Sequence, residues 1–298
     1  MSSEKFFTTK KALITLIAAS LVVIVSLGIR QTFGLFFFDF NADLNISISH
    51  FGFVIGLQLL MWGVFSPIFG FITDRYGGAT AIFIGFLFYL AGLFLFYSGL
   101  NTGYLFTLTI GLLIGIGLGG TAISIPVSVV AKHFPSSNRT IATGIVTCAG
   151  SFGFFVSPLL VRYSLIEIGW EITILYFCFL LGIGLITALF ISTPKTPVGN
   201  NDNNHQTAKE ALIEAFNNKS FIFLTLGFFV CGWHIALVAT HIPTYMADKG
   251  LPDWTPAMVL ALIGAFNMVG TITSGYLATR YSKKIILSAI YLLRGVSI

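Results

Sequence analysis

The segment Gly70-Phe71-Ile72-Thr73-Asp74-Arg75-Tyr76-Gly77-Gly78 ends one long apolar run and leads into the next. Its pattern returns at Gly275-Tyr276-Leu277-Ala278-Thr279-Arg280-Tyr281-Ser282-Lys283, with the Gly, the Arg and the Tyr kept in register. Each copy follows the second apolar run of its part of the chain. A chain that repeats a charged loop between apolar runs reads as two related sets of helices.

Composition says what solvent those helices meet. Of the 298 residues, 56% are hydrophobic and 9% charged, and mean hydropathy is +0.91. A soluble domain carries about 25% charged residues. So little charge cannot cover a water-facing surface, and the chain reads as an all-α polytopic membrane protein. The net charge of +5 therefore carries no indication of nucleic acid. Cys148, Cys178 and Cys231 lie in apolar runs without metal-ligand spacing and read as small hydrophobes. Lys10-Lys11 before an apolar run resembles a signal peptide, but the run is too long for one and reads as an uncleaved first membrane helix.

A spanning helix needs about 20 mainly apolar residues. Such runs occupy 12–38, 51–73, 79–99, 104–130, 140–163, 171–192, 220–247 and 256–279, and a ninth starts near 285. The ninth covers about 21 Å of a ~30 Å core before Ile298, so the reading is a chain that ends inside its ninth span. Basic residues set the orientation. Lys5, Lys10, Lys11, Arg75, Lys132, Arg139, Lys195, Lys209, Lys219, Arg280, Lys283 and Lys284 fall on the side of the N-terminus, against Arg162 and Lys249 on the other. The N-terminus is expected in the cytoplasm and the chain in the cell's inner (plasma) membrane. The polar stretch 193–219, with Pro194, Pro197, Gly199 and an Asn run, reads as a cytoplasmic linker, with AKEALIEAF as a short surface helix. Residues 1–192 are then a six-helix bundle, and 220–298 part of a second.

Gly70, Asp74, Arg75 and Gly77 form G-x-x-x-D-R-x-G, which resembles the cytoplasmic loop signature of the major facilitator superfamily. The basic pair that usually follows is Gly78-Ala79 here, and the second copy has Thr279 and Ser282 at the acidic and Gly positions. A narrower likeness lies in His133-Phe134-Pro135, Arg139, Ala142, Gly144, Ala149-Gly150 and Gly153. This run, with RQTFGLF (30–36) and CGWHIALVATHIPTYMADKGL (231–251), resembles bacterial monocarboxylate porters and oxalate/formate antiporters. The Gly-Pro pair of drug/proton antiporters is missing from the fifth run, where Pro158 follows Ser157. The resemblance implies the major facilitator fold, with about nine of twelve spans present. It also implies a monomeric secondary transporter of small organic anions, working by alternating access with protons as a candidate coupling ion and no cofactor.

The residues themselves leave several roles open. Arg30 lies about 13 Å below the outer end of its helix, with Ser26 and Gly34 on its face and Phe33 and Phe37 off it. It either faces a central cavity or snorkels to the surface. Arg294, about ten residues into the ninth run, either contacts an anion or pairs structurally. Two membrane arginines without a mid-membrane carboxylate need a negative partner, and an anionic substrate is one. His234 and His241 share a helix face, and serve either as hydrogen-bonded packing or in proton coupling and substrate contact. Gln58 and Asn267 either touch substrate or bridge helices. Gly111, Gly115, Gly117, Gly119 and Gly120, ahead of Pro126, suit close packing and bending. By resemblance, Asp74, Arg75, Arg139 and Arg280 are gating residues that pair between helices. An efflux carrier of other small molecules would place an acidic residue in the cavity. A receptor has no use for paired halves, no nucleophile–base group suggests an enzyme, and a non-transporting remnant is the last alternative.

Overall fold

The computed structural model describes residues 10–101, 103–192, 208–278 and 280–297. Among them the regular structure is all helical: α1 (Lys10–Gln31), α2 (Phe37–Leu44), α3 (Ile48–Tyr76), α4 (Gly78–Tyr97), α5 (Gly103–Phe106), α6 (Ile114–Thr121), α7 (Ser124–His133), α8 (Ser136–Glu167), α9 (Gly169–Ala188), α10 (Ala208–Asn217), α11 (Lys219–Asp248), α12 (Thr255–Leu277) and α13 (Lys283–Ser297). Within the described residues, eight helices or helix chains are long and apolar enough to cross a membrane. Helix is the open-ended structure that satisfies every backbone group in lipid, so composition and helicity agree. The surface helix expected at AKEALIEAF is α10, while residues 193–207 of the expected linker lie outside the described residues.

The first span is not one straight helix. Thr32 turns the chain: its Oγ1 donates to the Ile29 carbonyl at 2.8 Å and its N–H to the same oxygen at 3.1 Å. That local bond competes with the α-ladder, and Phe33–Phe36 continue as a 3₁₀ turn before α2. The fourth span is broken further, into α5, a π-helical stretch Thr107–Leu113, α6, and α7 after an extended Ala122.

Glycines make this segment's packing possible. A Cβ at Gly115 would stand 2.6 Å from the Gln58 carbonyl oxygen, and one at Gly117 2.7 Å from the Tyr89 backbone nitrogen. Only hydrogen fits there, so α6 runs backbone-close to both α3 and α4. The expectation that the glycine series serves packing and bending matches this arrangement.

At the end of the molecule away from Asp74, aromatic rings fill the space between helix ends. Phe40 is 5.2 Å from Phe96, 5.4 Å from Trp170 and 5.9 Å from Phe106, between ring centroids. The Trp170 Nε1–H donates to Asp43 Oδ2 at 2.7 Å, so the indole has its polar partner and α2 is tied to α9.

The later helices dock on this set at one end only. The buried residues of α11 are Ala239, Thr240, Pro243 and Thr244, and those of α12 are Pro256, Ala257, Leu260, Ala261 and Gly264. All lie toward the turn that joins the two helices. From Ala265 to Leu277 none of α12 is buried. The two sets of helices therefore touch at the Arg162 end and part toward the Asp74 end.

Candidate functional site

Arg30 occupies the last turn of α1 and is 4% exposed. Its buried Nε has no hydrogen-bond partner among the described residues. Among the described residues no carboxylate forms an ion pair with Arg30. Its electrostatic neighbour is Tyr89 on α4. The Tyr89 hydroxyl donates to the Ser26 carbonyl at 3.4 Å. Ser26 Oγ meets Thr121 Oγ1 at 2.7 Å, and Thr121 Oγ1 donates to the Gly117 carbonyl at 3.0 Å. A polar seam thus joins α1, α4 and α6 one turn from the guanidinium.

This corrects the simple helical-wheel placement of Arg30. Ser26 does share its face, but Gly34 does not, because α1 stops at Gln31. Gly34 instead lies against the Ala239 carbonyl and Pro243 of α11. Phe33 and Phe37 are also buried, in the aromatic end cluster. Arg30 is thus buried beside Tyr89.

The other expected polar residues bond to neighbouring helices. Gln58 is fully buried, and its Nε2–H donates to the Ile110 carbonyl at 2.9 Å. Ile110 lies in the π-helical stretch, where the widened turn leaves carbonyls free of the regular ladder. The Gln58 Oε1 has no partner among the described residues. Asn267 Nδ2–H donates to Ser151 Oγ at 3.0 Å, bridging α12 and α8. His234 is half-buried on α11, and its Nδ1 has no partner among the described residues. His241 lies against Gly52 of α3, and both line a cavity of about 900 Å³ with Trp62, Trp233 and Thr240. Arg294 is half-buried in the last turn of α13. The expected binding residues are thus spread over α1, α3, α11, α12 and α13, and Gln58 and Asn267 bond to Ile110 and Ser151, not to Arg30.

At the opposite end, Lys132 Nζ donates to Asp74 Oδ1 at 2.8 Å and joins α7 to α3. The Arg75 guanidinium stands 5.5 Å over the Tyr76 ring, and that of Arg280 5.0 Å over the Tyr276 ring. Arg139 is exposed in the first turn of α8. Sequence reasoning missed Lys132 as the partner of Asp74, although it is the basic residue that closes the fourth span. It also missed Tyr89 and the Arg162–Asp253 pair, which no local pattern announces.

The family model of the Major Facilitator Superfamily matches residues 19–297. The chain belongs to the Major Facilitator Superfamily. A relative from Paecilomyces divaricatus, the agnestins efflux protein AgnL12, is 23% identical over 97% of this chain and 65% of its own length. The hexuronate transporter of Bacillus subtilis (strain 168) is 22% identical over 81% of this chain and 58% of its own. The chain thus spans less than two thirds of these curated relatives. A crystal structure of a D-xylose-proton symporter has the same fold, with TM-score 0.62 and 15% identity over 91% of this chain and 69% of the symporter. The two relatives are named as an efflux protein and a transporter.

Proposed function

We propose that this protein is a secondary transporter of small organic anions, monocarboxylates foremost, that works by alternating access in the plasma membrane. The observation that carries this reading is Arg30: a buried cation with no carboxylate partner among the described residues. An uncompensated charge at that depth costs several kcal/mol, on the order of +2.5–3.5 at a helix centre, and an anion relieves it. Tyr89 is its electrostatic neighbour, and the Ser26 and Thr121 hydroxyls bond to each other one turn away. Hexuronate, named for one relative, is also an organic anion.

In this reading the N-terminus is cytoplasmic and the contact at the Arg162 end is the closed outer gate. The helices then part toward the cytoplasm, which is an inward-open state. Asp74, Arg75, Arg139 and Arg280 act at the inner gate, and the second set of helices contributes His234, Asn267 and Arg294 to substrate or proton handling. The transporter works as a monomer.

Uptake of labelled monocarboxylates into proteoliposomes tests the assignment. Arg30→Gln should abolish uptake while Arg30→Lys keeps part of it, both at unchanged protein level. Uptake by Arg30→Gln equal to that of the parent would remove Arg30 from the site. Export, not uptake, of apolar compounds by the parent would favour an efflux carrier.

A further inference from the structure

Helices α1, α8 and α9 leave a cleft of about 610 Å³ between them. It opens on the α1 face that carries Val25 and Ile29, not the one that carries Ser26 and Arg30. Its body is apolar, with Val25, Phe152, Val156, Leu160 and Phe177 along it. Ser164 and Thr173 also line it, but their hydroxyls bond to each other at 2.7 Å. The mouth is different. Tyr163, Glu167 and Tyr176 line it, all exposed, and among the described residues their side chains make no hydrogen bond or ion pair. No Lys, Arg or His among the described residues lines the cleft.

The dimensions and chemistry describe an amphiphile. From Phe152 to Glu167 the cleft follows α8 for about 22 Å, more than the ~15 Å of one leaflet of a ~30 Å core. Tyr163 lies one turn from the end of α8, close to where a spanning helix meets the headgroups, and Tyr176 about 10 Å into α9. The charge that lines the mouth is a carboxylate, which attracts an ammonium and repels a headgroup whose sole charge is phosphate.

We propose that this cleft binds one phospholipid with an ammonium headgroup. One acyl chain lies along Val25, Val156 and Phe177. The ammonium donates to the Glu167 carboxylate, and phosphate oxygens accept from the Tyr163 and Tyr176 hydroxyls. The site stands apart from the anion reading of Arg30 and does not depend on it.

Native mass spectrometry of the purified protein, equilibrated with equal phosphatidylethanolamine and phosphatidylglycerol, tests this. The parent should retain one phosphatidylethanolamine in preference. Glu167→Gln should reduce that preference about five-fold, the effect of one charge contact at a membrane surface. Val156→Trp puts a large ring where the acyl chain would lie and should lose the retained lipid of either kind. Equal retention of both lipids by the parent overturns the proposal, as does an unchanged preference in Glu167→Gln. A lipid still held by Val156→Trp places it elsewhere and also overturns the site. If Val156→Trp does not fold, the surface substitution Glu167→Gln decides alone.

Discussion

Arg162 Nη2 donates to Asp253 Oδ2 at 3.2 Å, tying the end of α8 to the turn before α12. Three more contacts join the same two sets of helices: Gly34 on Ala239, Gly264 on Phe154 and Phe155, and Asn267 to Ser151. Beyond Asn267 the helices separate, and a methyl group added at Gly270 or Gly275 would stand in open space, with no neighbour within 4 Å. Among the described residues the ion pair is therefore the outermost tie of this end, and the Asn267–Ser151 bond is the last before the helices part.

Breaking that outer tie should loosen the closed end without unfolding the protein. Asp253 is 86% exposed, so a double-mutant cycle on Arg162→Gln and Asp253→Asn should give about 0.2–1 kcal/mol of coupling. Thiol labelling of a cysteine placed at Leu260, buried in the closed end, should rise up to about five-fold in either single variant. The charge-swapped pair Arg162→Asp with Asp253→Arg should restore protection. Labelling that stays at the parent rate in both single variants would show that the pair holds nothing closed.

Gly264 should be far less forgiving than its neighbour Gly270. A Cβ at Gly264 would stand 2.6 Å from the Phe154 carbonyl carbon and 2.8 Å from the Phe155 Cα. These are backbone atoms, so the helices themselves must move, and overpacking of this kind costs about 1–3 kcal/mol. Gly264→Ala should lower thermal stability in detergent and widen the α8–α12 separation measured by spin labels. Gly270→Ala, in open space, should do neither. Equal effects of the two substitutions would argue against a tight crossing at Gly264.

The Asp74–Lys132 pair should respond as a surface contact with a conformational role. Asp74 has a 74% exposed side chain, so Asp74→Asn should change stability by less than about 1 kcal/mol. Its effect should appear in conformation: cysteines placed at the Asp74 end should label at a changed rate, and Lys132→Gln should reproduce the change. Asp74→Asn that alters labelling while Lys132→Gln does not would mean that Asp74 acts through another partner.

Gln58→Leu removes the donor to Ile110 and leaves that buried carbonyl alone. The loss should be about 1–3 kcal/mol, read as a lower midpoint of thermal unfolding. A midpoint unmoved by Gln58→Leu would show that Ile110 finds another donor. Asn267→Leu, at an exposed position on α12, should cost less.

Much of this protein is written locally in its residues. Length and apolarity of each run determine the spans, because lipid leaves a backbone little choice but helix, and the runs at 171–192 and 220–247 lie close to α9 and α11. The loop from Gly70 to Gly78 and its later copy are also local patterns, and the family could be recognised from them. Partners are another matter. Lys132 lies 58 residues from Asp74, and nothing within either segment selects the other. Arg162 and Asp253, or Asn267 and Ser151, meet only because α12 packs along α8. The same holds for Arg30. Apolar sequence around it marks the charge as costly, but the face it presents depends on where α1 stops. A hydroxyl of Thr32 bonding back to Ile29 ends the helix at Gln31, sends Gly34 against α11 and leaves Arg30 beside Tyr89. Helix formation follows from short-range chemistry in a uniform solvent, whereas the pairing of side chains is set by tertiary packing.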